Sequence, residues 1–242
     1  MRICGPWVAI WFTLFAIPLF VFIPDVPLSN LTIKQSVRKG LSDLGSTLKY
    51  LPKEKNIFLY LLAHLIYIDG LNTLFAFGGI YAAGTFHMNL SEVLLFGIMM
   101  TLSAGIGAMI FAWVDDYLGS KLTIMISLIF LIFFGLMILF IKAKLMFWIA
   151  GIVLTFFVGP VQAASRSFMA HLVPFEKSTE FFGLYAFSGR VTAFLGPWIL
   201  GGMTLYFHSQ RAGMASIVAF FIVGGAIMCF VKEPNRLFSS GL

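Results

Sequence analysis

Three charged residues lie inside stretches of sequence that are otherwise apolar: Asp69, Arg166 and Arg190. A charge within the hydrocarbon of a membrane costs at least about 2.5–3.5 kcal/mol on insertion scales, so such a residue usually faces a partner or a water-filled cavity. A guanidinium binds carboxylates, and a carboxylate binds ammonium groups. These residue types therefore predict a polar interior that binds charged groups at membrane depth.

The apolar stretches around these charges predict an all-α polytopic membrane protein. The 242 residues are 60% hydrophobic and 11% charged, with a mean hydropathy of +0.97, whereas soluble domains carry about 25% charged residues. Seven runs are long enough to cross roughly 30 Å of hydrocarbon as helices. They are about Gly5–Ile23, Asn56–Ala83, Ser91–Val114, Lys121–Ile141, Leu145–Leu172, Ser178–Phe207 and Ala212–Val231.

These spans divide the chain into four parts. Residues 1–24 form a first transmembrane helix, 25–55 a cytoplasmic linker, 56–231 a six-helix body and 232–242 a cytoplasmic tail. Within the linker, Ile33–Leu51 has apolar residues at helical spacing with most basic residues off that stripe, which predicts an amphipathic helix on the membrane surface. A plain basic linker is the alternative.

Polar residues mark the starts of two spans. Ser91 with Glu92, and Ser178 with Glu180, supply a capping side chain and an acid for the first turn. Both features favour a helix start, because they satisfy free amide groups and the positive end of the helix dipole.

The lysines and arginines outside the spans predict the orientation. Ten lie on one side of the membrane and four on the other, and Arg166 and Arg190 complete the 16. Cytoplasmic loops are enriched in these residues, so the C-terminus is expected in the cytoplasm and the N-terminus outside. The same bias explains the net charge of +6 without nucleic acid as a partner. An outside N-terminus without a signal sequence is typical of the second half of a longer membrane protein.

Asp69 and Arg190 lie near the middle of the second and sixth spans, which both start on the cytoplasmic side, so they are expected at a similar depth. One hypothesis is that they bind opposite ends of a zwitterionic substrate, Asp69 the ammonium and Arg190 the carboxylate, since transporters bind solutes near the membrane midplane. The alternatives are a structural ion pair that joins two helices, or no contact.

Two further polar positions are candidates for the same interior. Arg166 and Gln162 share a face of the fifth span with Ser165 and Met169 by their i, i+3, i+4, i+7 spacing, and that face is expected to line a cavity unless Arg166 extends to the interface. His64 lies about 7.5 Å from Asp69 along its helix. It is a candidate proton carrier, because histidine titrates near neutral pH, or a buried histidine satisfied by a neighbour.

The loop between the third and fourth spans, residues 112–121, resembles the cytoplasmic loop signature of the major facilitator superfamily, G-x-x-x-D-R-x-G-R-R/K. A tight turn there needs glycine, and an acid can bond to the start of a neighbouring helix. The matching residues are Asp116, Gly119 and Lys121, and the departures are Ala112, Tyr117 and Ser120.

Other stretches resemble the C-terminal half of the vacuolar-effluxer branch of that superfamily, which includes fungal autophagy-related amino-acid effluxers and bacterial permeases. They are YIDGLNT at 67–73, QAASRS at 162–167, EFFGLY at 180–185 and Gly196-Pro197. The resemblance aligns the first span with helix six of a twelve-helix fold and the remaining six spans with helices seven to twelve. It implies half of that fold plus one helix.

This resemblance implies a secondary transporter of small molecules, with amino acids as the suggested substrates, working by alternating access in a bacterial inner membrane. Asp69, Arg190, Arg166 and Gln162 are then the expected substrate-binding residues, and His64 the coupling candidate. The pathway of such carriers lies between two halves. The missing N-terminal half is therefore expected as a separate chain or as a second copy of this one.

Enzyme classes are disfavoured. The sequence has no H-E-x-x-H, no G-x-S-x-G and no phosphate-binding G-x-x-x-x-G-K-S/T. Cys4 and Cys229 fall near opposite membrane faces, and no metal-ligand spacing occurs, so neither a metal nor a cofactor is expected. The alternative functions are a non-transporting membrane interaction subunit or an inactive remnant of a disrupted transporter gene.

Overall fold

The structure, a computed structural model, describes residues 4–22, 32, 34–35, 40, 42, 45, 51–174 and 177–233. The chain forms two compact units, Met1–Ser42 and Asp43–Leu242. The first contains α1 (Cys4–Phe22), which is long and apolar enough to cross a membrane. The predicted amphipathic helix at Ile33–Leu51 falls largely outside the described residues, as does the tail beyond Glu233.

The described part of the second unit is helical, with no β-strand, which confirms the predicted fold class. A short 3-10 turn at Leu51–Lys53 precedes eight α-helices. These are α2 (Lys55–Phe86), α3 (Leu90–Leu118), α4 (Ser120–Phe140), α5 (Lys144–Phe156), α6 (Val158–Leu172), α7 (Ser178–Val191), α8 (Leu195–Phe207) and α9 (Gln210–Phe230).

Six stretches of the described chain have the length and hydropathy of a membrane span, with α5 and α6 together forming one of them. The sixth predicted span, Ser178–Phe207, is instead two helices, α7 and α8, joined by a turn at 192–194. With 14 and 13 residues, each is shorter than the about 20 residues that a complete crossing needs. Pro197 in the first turn of α8 explains the break, because proline has no amide hydrogen and its ring crowds the preceding turn.

A second break separates α5 from α6 at Phe157, three residues before Pro160. Since Pro160 cannot donate to the carbonyl of Phe156, that oxygen is left without its usual helical partner. It lies against Gly107 of α3, where a Cβ atom would overlap it. About one turn away the glycine is on α6 and the carbonyl is on α3, because a Cβ on Gly159 would overlap the carbonyl oxygen of Ala104. Glycine therefore allows α3 to touch the broken helix backbone to backbone.

The helix starts differ in detail from the prediction. Asn89, not Ser91, caps α3: its side chain accepts from the amide of Glu92, and the Glu92 carboxylate accepts from the amide of Asn89, both at 2.9 Å. Ser178 is the first residue of α7 rather than its cap. The first-turn acids Glu92 and Glu180 are confirmed.

Packing centres on α2, whose most extensive contact is with α9. The two helices approach closely at glycine, because a Cβ on Gly224 would lie 2.8 Å from the Cβ of Tyr67. Their ends are joined by two bonds between Asn56 and Lys232, in which each residue donates to the other, at 2.8 and 2.6 Å. The helix that carries His64 and Asp69 is thus fixed along its length.

Candidate functional site

A group of buried polar and aromatic side chains connects α2 with α6 and α7. We call it the polar cluster. Its members are Tyr60, His64 and Tyr67 of α2, Ser165 of α6, and Tyr185 and Ser188 of α7. Tyr60, Tyr67 and Ser165 are 0% exposed, and His64 is 2% exposed. Apart from the half-buried Tyr185, these side chains lie inside the helix bundle rather than on its surface.

The hydrogen bonds around Ser165 have one consistent direction. Its hydroxyl donates to the carbonyl of Val161 at 2.5 Å, and a hydroxyl has a single proton. The hydroxyl of Tyr67, 2.7 Å away, must therefore donate to Ser165. The hydroxyl of Tyr60 donates to the carbonyl of Ser165 at 2.5 Å. Both tyrosines are thus satisfied, and α2 is bonded to α6.

The same reasoning assigns the tautomer of His64. Ser188 donates its only hydroxyl proton to the carbonyl of Tyr185 at 2.8 Å. The contact between His64 Nδ1 and Ser188 Oγ, at 3.1 Å, is then a bond in which the imidazole N–H donates. A neutral ring protonated at Nδ1 has a free lone pair at Nε2. This atom is buried and has no hydrogen-bond partner among the described residues.

Arg166 connects the polar cluster to the surface. Its side chain is exposed on α6, and its guanidinium approaches the hydroxyl of Tyr185. The ring of Tyr185 stacks on that of His64, with the centroids 4.1 Å apart. A charged group at the surface is thus separated from the buried imidazole by a single aromatic ring.

The predicted polar face of α6 is divided in the structure. Arg166 is exposed and Gln162 is half-buried, but Ser165 and Met169 are both 0% exposed and pack inside the bundle. The spacing predicted that these residues share one face, whereas the structure divides them between an exposed side and a buried side of the helix. It could not show that Ser165 bonds to tyrosines instead of lining a cavity.

The first turn of α8 has one amide hydrogen left for a partner outside the helix. Two neighbouring amides are used within the turn, in the bonds Leu195 N to Thr192 O and Trp198 N to Phe194 O. Pro197 has no amide hydrogen. The free donor of this turn is therefore Gly196.

Asp69 lies against that donor. It is 1% exposed, and its carboxylate faces the amide of Gly196. Neither carboxylate oxygen makes a hydrogen bond of ordinary geometry within the described chain, so the positive end of the α8 dipole is the favourable contact. The approach needs glycine, because a Cβ on Gly196 would overlap the hydroxyl of Thr73 and lie 3.2 Å from Asp69 Oδ2.

Arg190 occupies the opposite end of the same break. It lies in the last turn of α7, where a cation is favoured by the negative end of the helix dipole. Asn72, near the middle of α2, donates to the carbonyl of the adjacent Gly189 at 3.4 Å, which places Arg190 near mid-depth. Its side chain is exposed and makes no hydrogen bond within the residues that the structure describes.

The structure does not join Asp69 and Arg190 in an ion pair within its described ranges. Asp69 lies near the middle of α2, and Arg190 lies beside Gly189, which is bonded to Asn72 of the same helix. Asp69 faces inward, to the start of α8, whereas Arg190 faces outward from the end of α7. The helix break lies within a stretch whose hydropathy predicts one continuous span, and it gives each charge a helix end of opposite sign.

The loop signature is a tight corner between α3 and α4. Gly119 has φ 96° and donates its amide to the carbonyl of Asp115 at 2.9 Å, a conformation that favours glycine. Lys121 donates to the carbonyl of Cys229 at 3.4 Å, at the C-terminal end of α9. Asp116 is exposed. Gly119 and Lys121 therefore have identifiable structural roles within this chain.

Most of the polar cluster was not predicted from the sequence. A usable signal was the spacing of Tyr60, His64 and Tyr67, which is i, i+4, i+7 and therefore one helix face. Ser188 had no comparable signal, because serine is common in membrane helices. Among the described residues, no group of three or more His, Cys, Asp or Glu side chains could hold a metal ion.

Comparison with known proteins adds a family relationship. Residues 1–236 match the family described as "Vacuole effluxer Atg22 like". The chain is similar to the uncharacterized MFS-type transporter YxiO of Bacillus subtilis (strain 168), with 26% identity over 94% of this chain and 53% of the relative. It is also similar to autophagy-related protein 22 of Saccharomyces cerevisiae (strain YJM789), with 23% identity over 76% of this chain and 37% of the relative.

A third relative has a similar identity and coverage. Autophagy-related protein 22 of Kluyveromyces lactis (strain ATCC 8585 / CBS 2359 / DSM 70799 / NBRC 1267 / NRRL Y-1140 / WM37) is 22% identical over 92% of this chain and 49% of its own length. The chain thus spans about half the length of the curated relatives it matches, or less.

Proposed function

Since the chain belongs to the Atg22-like vacuole effluxer family, we propose that it is half of a secondary active carrier that moves small solutes across a membrane by alternating access. Amino acids are the solutes to test first. The carrier is completed by an N-terminal half on a separate polypeptide or by a second copy of this chain, because such pathways lie between two halves.

The observation that carries this proposal is the character of the open faces of α6 and α7. Most exposed residues on α3 are bulky and apolar, as lipid contact requires, for example Ile98, Leu102 and Met109, although Gly97 and Thr101 are exposed there too. On α7, one exposed face with the spacing i, i+4, i+7 and i+11 consists of small or polar residues. On α6, an exposed face with the spacing i, i+3 and i+7 also consists of small or polar residues. The α7 residues are Thr179, Gly183, Ala186 and Arg190, and the α6 residues are Ala163, Arg166 and Ala170.

Such faces suit a solute pathway better than lipid. An exposed arginine at membrane depth is tolerated where it meets water, a partner or a solute. Phe182 and Phe187 flank the α7 face and are also exposed, at 36% and 61%. We propose that Arg190, Arg166 and Gln162 contact the solute, and that Asp69 joins them when α8 moves away from it. His64, with its free Nε2, is the proposed site for the coupling proton.

Transport by proteoliposomes that contain the complete carrier tests this proposal. We expect amino-acid uptake to fall about tenfold or more in Arg190→Gln, because losing a charge-assisted hydrogen bond costs roughly 1.5–3 kcal/mol. Lys142→Gln is the matched control, since it also removes one exposed positive charge, outside the helices. Uptake that survives Arg190→Gln, or that no combination of halves supports for any solute, contradicts the proposal.

The proposed role of His64 has a separate readout. His64→Gln should abolish accumulation driven by a pH gradient while solute exchange at equal pH continues, because exchange needs no net proton movement. Equal loss of both activities would instead assign His64 a purely structural role.

We propose a bacterial inner membrane as the location, with the N-terminus outside and the C-terminus in the cytoplasm. The excess of lysine and arginine on one side supports this orientation. Green fluorescent protein fused to the C-terminus should fluoresce, and alkaline phosphatase fused there should be inactive. The opposite pair of results would reverse the orientation.

A further inference from the structure

The charges that the open faces of α6 and α7 present are of one sign. Arg166 and Arg190 are both exposed there. Among the described acidic residues, Asp69 alone lies near the middle of a span, and it is 1% exposed behind Gly196. The other described acids lie in loops or in the first or last turns of helices, as Glu92 and Asp116 do.

The two arginines lie at different depths along one route. The guanidinium of Arg166 approaches the hydroxyl of Tyr185 on α7. Arg190 is five residues beyond Tyr185 on α7, which corresponds to about 7.5 Å along the helix axis at 1.5 Å per residue. A solute that moves along α7 would therefore meet one guanidinium after the other, with the small side chain of Ala186 between them.

Both guanidinium groups retain binding capacity. The side chain of Arg190 makes no hydrogen bond within the described chain, and the approach of Arg166 to one hydroxyl leaves most of its five N–H donors free. A planar fork of donors fits the two oxygens of a carboxylate. An ammonium group would find no accessible carboxylate at this depth in the described residues, and two positive charges would repel it.

From this charge distribution we infer the substrate class of the site: a small solute that carries a carboxylate, recognised by that anionic group at Arg166 and Arg190. The inference rests on the proposed transport function and specifies which end of the solute the site recognises in this conformation. A solute whose only charge is an ammonium group is excluded from the route. A zwitterion enters with its carboxylate toward α7.

The test uses the full chain with both native cysteines changed to serine and Ala186→Cys added. We would measure labelling rates with an anionic methanethiosulfonate sulfonate and a cationic trimethylammonium analogue, each normalised to its rate with a free thiol. A unit charge about 8 Å away in water should favour the anionic reagent roughly fivefold. The preference should fall toward unity in Arg190→Gln and in Arg166→Gln, and should persist in Arg190→Lys.

Two controls define the result. Ile129→Cys, on the exposed apolar surface of α4, should react with neither reagent, because charged reagents do not enter lipid. Propionate should slow the labelling of Ala186→Cys, propylammonium should not, and alanine should act like propionate. Size-exclusion chromatography establishes that each variant is folded.

Labelling that favours the cationic reagent, that ignores both arginines, or that does not occur at Ala186→Cys overturns the inference, as does protection by propylammonium alone. The transport proposal fails separately. If Ala186→Cys prefers the anionic reagent but no solute flux is observed, the transport proposal is contradicted while the anion site is still supported. Solute flux without any preference for the anionic reagent would contradict the anion site and leave the transport proposal intact.

Discussion

Gly107→Ala should strongly destabilise the second unit, although it adds only one methyl group. The new Cβ would overlap the carbonyl oxygen of Phe156, and a backbone atom cannot rotate away as a side chain can. Helix α3 must then move away from the junction of α5 and α6. Overpacking of this kind costs about 1–3 kcal/mol and sometimes more. We expect the upper end of that range, measured as a lowered unfolding temperature of the chain in detergent.

The matched control is Gly105→Ala on the same helix. Nothing lies within 4 Å of a Cβ at that position, and alanine favours a helix over glycine by up to about 1 kcal/mol. Gly105→Ala should therefore leave the unfolding temperature unchanged or raise it. Gly159→Ala should behave like Gly107→Ala, because its Cβ would overlap the carbonyl oxygen of Ala104. Equal stability of all three variants would refute backbone contact between these helices.

Gly196→Ala should have the largest effect on solute movement. Its Cβ would overlap the hydroxyl of Thr73 and crowd the Asp69 carboxylate, so the start of α8 must leave Asp69. We expect uptake to fall about tenfold or more, since misplacing a positioned group by about 1 Å can cost a hundredfold in rate. The measurement is initial uptake by proteoliposomes containing equal amounts of folded carrier.

A second substitution makes this prediction specific. Thr73→Ala removes the hydroxyl that the new methyl would meet, so the double variant should regain part of the lost uptake. Gly201→Ala, also on α8 but with nothing within 4 Å of its Cβ, is the matched control and should transport normally. If Gly201→Ala is as impaired as Gly196→Ala, or if Thr73→Ala restores nothing, the proposed contact does not explain the defect.

The long spans were predictable because a run of apolar residues is a strong and local signal. The continuous helix assigned to Ser178–Phe207 was not correct in detail, since hydropathy is insensitive to the loss of a single amide hydrogen at Pro197. In the sequence, Gly196-Pro197 is recognisable only as part of a resemblance to a family. In the folded chain Gly196 permits close approach and Pro197 removes a hydrogen-bond donor. This role depends on the position of α2, which the sequence alone does not give.

The placement of the charged residues shows the same limit. Their positions within the spans predict a similar depth for Asp69 and Arg190, because depth depends on distance along each helix. Whether two side chains meet depends also on how each helix is rotated and where it breaks. Asp69 faces the start of α8 and Arg190 lies on the open side of α7. The hypothesis that the solute lies between them remains a proposal that requires α8 to move.

The contact between α2 and α9 also has a consequence for biosynthesis. Asn56 and Lys232 bond to each other across 176 positions of sequence, and the glycine contacts between the two helices need both to be in the membrane. While the ribosome is still producing the later spans, α2 has no α9 to cover it, and its tyrosines and histidine await partners on α6 and α7. Closing so long a loop favours slow, late assembly. For a nascent chain, the period of greatest exposure to membrane proteases is therefore the interval before α9 inserts.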